Sequence, residues 1–393
     1  MRLLFLFPAW LIFSCSSPER HLLIDQPAPV VAGAEEPYLF TDSAGTVWLS
    51  YQQRHDTISS LWLTAYQNGE WRSPQQIIQG YNWFVNWADY PVMASDAKGN
   101  LVTHILHRSG EGKFAYDVHI LTSNDSGKTW SEPHKLHDDN TQTEHGFVSA
   151  IPYGDNFFMC WLDGRNTTGS ESHHHGHHGS MTLRAAIIDK HGNKVKEWEL
   201  DNRVCDCCQT TAAITDKGPV VIYRNRSDEE VRDIFITRYE DGNWTAPKPV
   251  HGDNWIIHGC PVNGPRCDAM GNTLVVAWFT AAGDEPRVQV IFSSDGGKTF
   301  GKPVRVDEGN TIGRVDVVLL NNNEALVSWM EGEAIKVAFI DATGRKGKSL
   351  TVAHSSEKRA SGFPQLTRFN KGALMAWTSP ADSAVRTAVL TWQ

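Results

Sequence analysis

The chain has 393 residues, 40% hydrophobic and 21% charged, with a formal net charge of −9 and 15 tryptophans. The acidic balance excludes the basic footprint that nucleic-acid binding requires. Past the N-terminus no stretch reaches the roughly 18 apolar residues of a membrane-spanning helix. The length suits two or three average domains or one closed all-β fold.

The chain opens on Arg2 and the apolar run Leu3 to Phe13. That run is too short to span a bilayer and suits a signal peptide. Ile12-Phe-Ser-Cys15 resembles a bacterial lipobox, with Cys15 as the acylated first residue of the mature protein. Phe13 stands where a small residue is usual, and ordinary signal cleavage nearby is the alternative. The expectation is a signal peptide over 1–14, a lipidated linker over 15–28 and the folded domain over 29–393. Ser16 after the cysteine suggests outer-membrane sorting, by the same resemblance. An exported, outer-membrane or periplasmic lipoprotein follows, touching the membrane only through its anchor and expected to be a monomer. Six further cysteines (Cys160, Cys205, Cys207, Cys208, Cys260 and Cys267) then lie in a compartment that permits disulfides.

One pattern recurs along the rest: an apolar stretch, an Asp/Gly turn, a β-rich run that often ends in Trp, a third strand and a weaker fourth. The first copy reads Pro37 to Phe40, turn Asp42 to Gly45, Thr46 to Tyr51, then Leu61 to Tyr66. The second has Tyr90 to Ala94, turn Asp96 to Gly99, Leu101 to Leu106 and Asp117 to Thr122. Later copies contain Phe157 to Trp161, Val220 to Tyr223, Leu274 to Trp278, Ala325 to Trp329 and Ala373 to Trp377. Short strands bounded by Gly, Asp and Asn form the all-β signature, and a fixed repeat of this size indicates a propeller. The predicted fold is a single all-β propeller of four-stranded antiparallel blades, seven by the repeat count with six as the alternative. The last copy lacks a fourth strand, which His21 to Ile24 or Pro29 to Val31 supplies to close the ring.

Two turns between third and fourth strands read Ser123-Asn-Asp-Ser-Gly-Lys-Thr-Trp130 and Ser293-Ser-Asp-Gly-Gly-Lys-Thr-Phe300. Both match the Asp-box, in which Asp binds turn amides, Gly takes positive φ and the aromatic packs between blades. With the repeated strands, these boxes make most of the chain resemble the sialidase (BNR-repeat) superfamily. That resemblance implies a glycan hydrolase in which three arginines grip a carboxylate, a Tyr–Glu pair supplies the nucleophile and an Asp the acid/base. The chain departs from the pattern. It has no Arg-Ile-Pro in the first blade, where Glu36-Pro37-Tyr38 stands instead, and it counts seven repeats against the six blades of true sialidases.

With strands A to D running outward from the axis, the A–B and C–D turns share one face. The B–C loops and D-to-A crossovers share the other, and the unusual residues fall there. Tyr223, Arg226, Asp228, Glu230, Arg232 and Arg266 are the catalytic candidates: guanidiniums bind carboxylates bidentately and a carboxylate of raised pKa serves as general acid or base. A self-neutralising salt-bridged loop is the bland alternative for Arg224 to Asp233. Trp83 and Trp87 are placed to stack on a sugar or to cap the core, and Asp163, Arg165 and Asn263 complete the ligand-binding candidates. Cys205, Cys207, Cys208, His258 and Cys260 form a candidate copper or zinc site of soft ligands. Disulfides, among them Cys260 with Cys207 or Cys208 or a vicinal Cys207–Cys208 bond, and free redox-active thiols are the competing readings. His173 to His178 form a second, looser cluster of potential ligands. Two functions stand: action on or binding of an anionic glycan, or a non-catalytic lipoprotein that binds metal or a partner through its Cys/His-rich face.

Overall fold

A computed structural model describes residues 23–25, 27–167, 179–369 and 372–392. Its strands build seven antiparallel blades of four strands, two of them with an extra short strand, and the first six take their strands in chain order from A to D. Blade one runs Ala34–Thr41, Val47–His55, Ile58–Gln67 and Gln75–Gly80. The A strands of blades two to seven are Met93–Ser95, His145–Tyr153, Thr211–Thr215, Arg266–Met270, Thr311–Asn321 and Gln365–Phe369. Successive A strands touch one another all round the axis, and the seventh meets the first. The repeat count of seven therefore holds. Closure comes from Leu23–Asp25, which pairs antiparallel with Ala384–Thr391 as the fourth strand of blade seven. The ring thus takes in part of the segment read as a linker. Cys15, the signal-like stretch and His173 to His178 lie outside the described residues.

The B strands carry the core because both of their faces are covered by neighbouring blades. Trp161, Trp278 and Trp329 are fully buried at equivalent B-strand positions. A buried indole N–H needs an acceptor, and each finds a carboxylate: Asp163 at 2.8 Å, Asp253 at 2.6 Å and Glu331 at 2.8 Å. On the turn face both Asp-boxes close as the sequence predicts. Asp125 accepts from the Thr129 amide and hydroxyl, Asp295 accepts from the same two groups of Thr299, and both carboxyls are held down at about 2, the latter against its own partial burial. Gly297 has φ +81°, and a Cβ there would lie 2.5 Å from Ile236 Cδ1 of the preceding blade, so the box doubles as a blade-to-blade contact.

The loop face has its own repeated device. Bulges break the A–B register at Glu35/Tyr38, Gly146/Ser149 and Gly313/Asp316. Glu36, Phe147 and Arg314 there take φ of 54°, 53° and 53°, a left-handed conformation costly for residues with a side chain. Each bulge N–H is received by a side chain of the preceding blade or crossover: Thr378 Oγ1 at 3.0 Å, Asp89 Oδ1 at 2.7 Å and Asn263 Oδ1 at 2.8 Å. Bulges re-aim side chains and cluster near functional sites. These three tie neighbouring blades together at the axial mouth.

Candidate functional site

Cys205, Asp206, Cys207 and Cys208 lie in the crossover from Lys194–Asp201 of blade three to Thr211–Thr215 of blade four. The segment is pinned at both ends: the Cys205 amide donates to Arg224 O at 3.0 Å, and Gln209 Nε2 donates to Ala88 O at 2.7 Å across the mouth. Cys205 Sγ stands 3.7 Å from the sulfurs of both Cys207 and Cys208. Cys207 and Cys260 gather with an Asp206 carboxylate oxygen, all three within 4.8 Å of one another. Cys205, Cys207 and Cys208 thus gather as one group, and the neighbouring crossover brings Cys260 to Cys207 beside it.

The six described cysteines are all thiols. A disulfide needs sulfurs about 2.05 Å apart, so 3.7 Å leaves Cys205 bonded to neither neighbour, and the expected bonds from Cys207 to Cys208 or from either to Cys260 are not formed. The spacing matches another chemistry. Metal–thiolate bonds of about 2.3 Å place sulfurs about 3.8 Å apart at the corners of a tetrahedron. Burial pushes the Cys205 thiol up to about 11. Burial also opposes ionisation of Cys208, but the neighbouring thiols and the Arg224 guanidinium outweigh it and hold Cys208 well below the ordinary thiol range. Arg232 Nη1 sits 3.3 Å from Cys205 Sγ. His258 is exposed and, among the described residues, is not one of the gathered ligand groups; the Asp206 carboxylate stands beside Cys207 and Cys260 instead. Cys160 is a core residue on a B strand, and Cys267 bonds Thr211 Oγ1 at 3.4 Å.

The charged loop folds onto itself. Arg226 grips Glu230 through Nε and Nη2 at 3.0 and 2.7 Å, and Arg232 reaches the same carboxylate at 2.8 Å. Arg203 pairs with the exposed Asp228. Arg224 is buried against the carbonyls of Arg232, Asn263 and Phe279 at 2.7 to 2.8 Å. Arg266 is engaged by Tyr90 at the axis, and Tyr223 donates to Asp201 at 2.5 Å beneath the surface. The six catalytic candidates thus do not form one catalytic set. Only Glu230, Arg226 and Arg232 converge, two guanidiniums sharing one carboxylate beside the thiols.

The ligand-binding candidates also divide. Trp83 packs into the blade-two core. Trp87 stacks on Phe363 at 5.5 Å, with Arg314 and Arg359 guanidiniums 5.2 and 5.8 Å from its ring. Asn263 braces the blade-six bulge. Arg165 forks onto Asp163 at 2.7 and 2.8 Å, beside buried histidines.

Sequence reasoning missed a buried acid cluster next to the thiols. Tyr116 Oη lies 2.7 Å from Asp89 Oδ2 and 3.0 Å from Glu144 Oε1. One hydroxyl proton cannot serve two carboxylates, so one acid must itself donate. Burial arranges this: it raises Asp89 to about 7 and, with the negative charges of Asp206 and Asp89, lifts Glu144 well above its usual range. Gly146 has no Cβ because one would meet Asp89 Oδ2 at 2.0 Å. The three come from two crossovers and the start of a C strand, so no local motif marks them. The cavity bounded by Asp89, Tyr90, Gln209 and Arg266 is about 10 Å³, room for one water at most.

A family model described as a BNR repeat-like domain matches residues 58–256, half of the chain. Curated proteins contain no match. Among solved structures, the polysaccharide lyase Uly1 superposes with a TM-score of 0.54 at 8% identity, covering 97% of this chain and 94% of that one. A PL25 ulvan lyase bound to -[GlcA(1-4)Rha3S]- gives 0.49 at 13% identity, covering 78% and 79%. The NanB sialidase from Streptococcus pneumoniae gives 0.44 at 11% identity, covering 96% and 71%. Likeness at such identities is likeness of fold.

Proposed function

The chain belongs to the BNR repeat-like domain family of Asp-box propellers, and on that premise we propose that its crossover face holds a soft metal ion, copper(I) or zinc, through cysteine thiolates. The observation that carries this reading is the pair of 3.7 Å sulfur separations from Cys205, with Cys260 brought alongside from the next crossover. Thiolates select such ions. Cys205, Cys207, Cys208 and Cys260 would hold the metal; Arg232 balances thiolate charge and Glu230 orients Arg232. The test is elemental analysis with thiol counting on protein purified without an affinity tag. About one equivalent of copper or zinc, lost in Cys208→Ser, supports the reading; a native cross-link between these cysteines refutes it.

A second reading, binding or cleavage of an anionic glycan, is favoured by the Tyr116–Asp89–Glu144 cluster and by the fold shared with a polysaccharide lyase. Tyr116 is fully buried and the axial cavity is small, so this reading requires the Trp83 to Trp87 crossover to move. Assays with a fluorogenic sialoside and with uronic-acid polysaccharides test it. Turnover or binding that disappears in Glu144→Gln supports it, and inert behaviour toward both substrate types refutes it. Export and anchoring through Cys15 belong to the same proposal. Radiolabelled palmitate should enter the full chain and not Cys15→Ala; an unlabelled parent would refute the anchor.

A further inference from the structure

A second cluster lies on the same face, between blades two and three. His137 and His145 stack with ring centroids 3.7 Å apart and planes 7° apart. Asp139 stands at one end of the stack, with Oδ1 2.5 Å from His137 Nδ1 and Oδ2 3.2 Å from His145 Nε2. Asp117 closes the other end, with Oδ1 3.4 Å from His137 Nε2 and 3.7 Å from His145 Nδ1. Asp163 Oδ1 lies 3.6 Å from His145 Nε2. Both imidazoles are fully buried as side chains, and the three carboxylates are at most 7% exposed.

The hydrogen-bond roles conflict if nothing else is present. His145 Nδ1 faces the carbonyls of Thr143 and Tyr116 at 3.2 and 3.3 Å, so that nitrogen is the protonated one. His145 Nε2 then turns a lone pair toward two carboxylate oxygens, and it has no hydrogen-bond partner among the described residues. His137 repeats the pattern: Nδ1 donates to Asp139, while Nε2 and the facing Asp117 Oδ1 both lack partners. Proton assignments on imidazole follow from such partners. Two remedies exist. Either both stacked rings are protonated, two like charges 3.7 Å apart, or a cation takes the lone pair. Charge favours the cation. Asp117, Asp139 and Asp163 bring three negative charges, against Lys135 on Asp117 at 2.8 Å and Arg165 on Asp163 at 2.7 Å.

The geometry points to a first-row divalent cation of the zinc class, held by His145 Nε2, Asp139 Oδ2 and Asp163 Oδ1. Zinc bonds of 2.0–2.2 Å to nitrogen and oxygen put tetrahedral ligands roughly 3.3–3.6 Å apart, close to the 3.2 and 3.6 Å found here. The surroundings are those of a metal ligand sphere: a metal-bound imidazole donates its other nitrogen to a carbonyl, and bound carboxylates are themselves hydrogen-bonded. His145 does the first. Thr141, His137, Arg165 and Trp161 do the second for Asp139 and Asp163. Its nitrogen and oxygen donors are harder than the thiols, so the two sites rank ions differently. The site is separate from the thiol cluster and does not depend on it.

The test is titration of chelator-treated protein with Co²⁺, read by visible spectra and calorimetry, in the parent and in a Cys205→Ser/Cys208→Ser background. The expected result is one equivalent without sulfur-to-metal charge transfer, retained in the double serine variant. Asp139→Asn or His145→Gln weakens that equivalent by at least the roughly 10–100-fold that loss of even an outer-shell partner costs. Thermal melts in chelator show whether each variant folds. If His145→Gln does not fold, Asp139→Asn together with the parent spectrum decides the matter. Absence of any sulfur-free equivalent in the parent, or binding indifferent to Asp139→Asn, would overturn the site and leave a protonated imidazole pair.

Discussion

The two faces of this propeller use the same residue types to opposite ends. On the turn face Asp42, Asp96, Asp125, Asp189, Asp295 and Asp341 each accept amides of their own turn. Asp125, Asp295 and Asp341 are accordingly held at about 2. On the loop face burial raises Asp89, and burial with neighbouring negative charge raises Glu36, Glu144 and Asp206, while buried thiols and imidazoles gather from separate crossovers. A carboxylate satisfied by its own turn stabilises the frame; one that must find its partner across blades is available for chemistry. The contrast puts carboxylates satisfied by their own turns on one face and carboxyls that find partners across blades on the other.

Changes on the loop face should therefore alter binding and pH response, and changes on the turn face should alter stability alone. The largest effect is expected from Cys205→Ser with Cys208→Ser. Thiolate zinc sites have apparent binding free energies on the order of 10 kcal/mol, so competition with a chromophoric chelator should show the soft-metal equivalent gone. The melting temperature of the chelated protein should hardly move.

Asp89→Asn comes next. Asp89 stays protonated in the fold up to about pH 7, while the unfolded chain loses the proton near 3.8. Between those values the folded state binds more protons, so stability falls as pH rises, by up to about 4 kcal/mol for this group. Urea melts from pH 4 to 8 should show a shallower fall for Asp89→Asn and higher stability than the parent above pH 7. An unchanged slope would remove Asp89 as its source.

On the turn face, Gly297→Ala meets both a positive φ and Ile236 Cδ1 at 2.5 Å, a loss of about 1–3 kcal/mol with metal binding intact. Weakened metal binding in that variant would break the division of labour. The smallest effect belongs to Glu230→Gln, which loosens Arg226 and Arg232 for about 1 kcal/mol. Partial burial works against ionisation of Glu230, but the two arginines outweigh it and depress its pKa. Its contribution is thus present above the ordinary glutamate range and lost as pH falls through the depressed value, so parent and variant should converge in acid melts.

The frame was legible because its determinants are local. Asp-box hydrogen bonds span four residues, the B-strand tryptophans recur with the repeat, and together they specify the blades, the count and the two faces. The site was legible only as a face. Cys205 to Cys208 could be placed against Cys260 because crossovers follow from strand order. Partner choice could not be read, since it depends on side-chain direction: Arg226 and Arg232 turned to Glu230 rather than outward, and Asp206 came to Cys207 and Cys260. Tyr116, Asp89 and Glu144 meet through a bulge at Gly146/Ser149, and nothing in the local sequence announces that shift of register. Asp163 and Arg165 were picked out as ligand-binding residues, but His137 and His145 beside them come from the separate segment between blades two and three, and no local pattern joins the two.

Soft-metal binding by the crossover thiols of the loop face is open to direct measurement by X-ray absorption at the metal edge of protein loaded with one equivalent of zinc. The expected spectrum has a shell dominated by three or four sulfurs at about 2.3 Å, collapsing to nitrogen and oxygen scatterers in the Cys205→Ser/Cys208→Ser variant. A parent spectrum with no sulfur shell, or a parent mass two hydrogens light for each Cys–Cys bond, would rule it out.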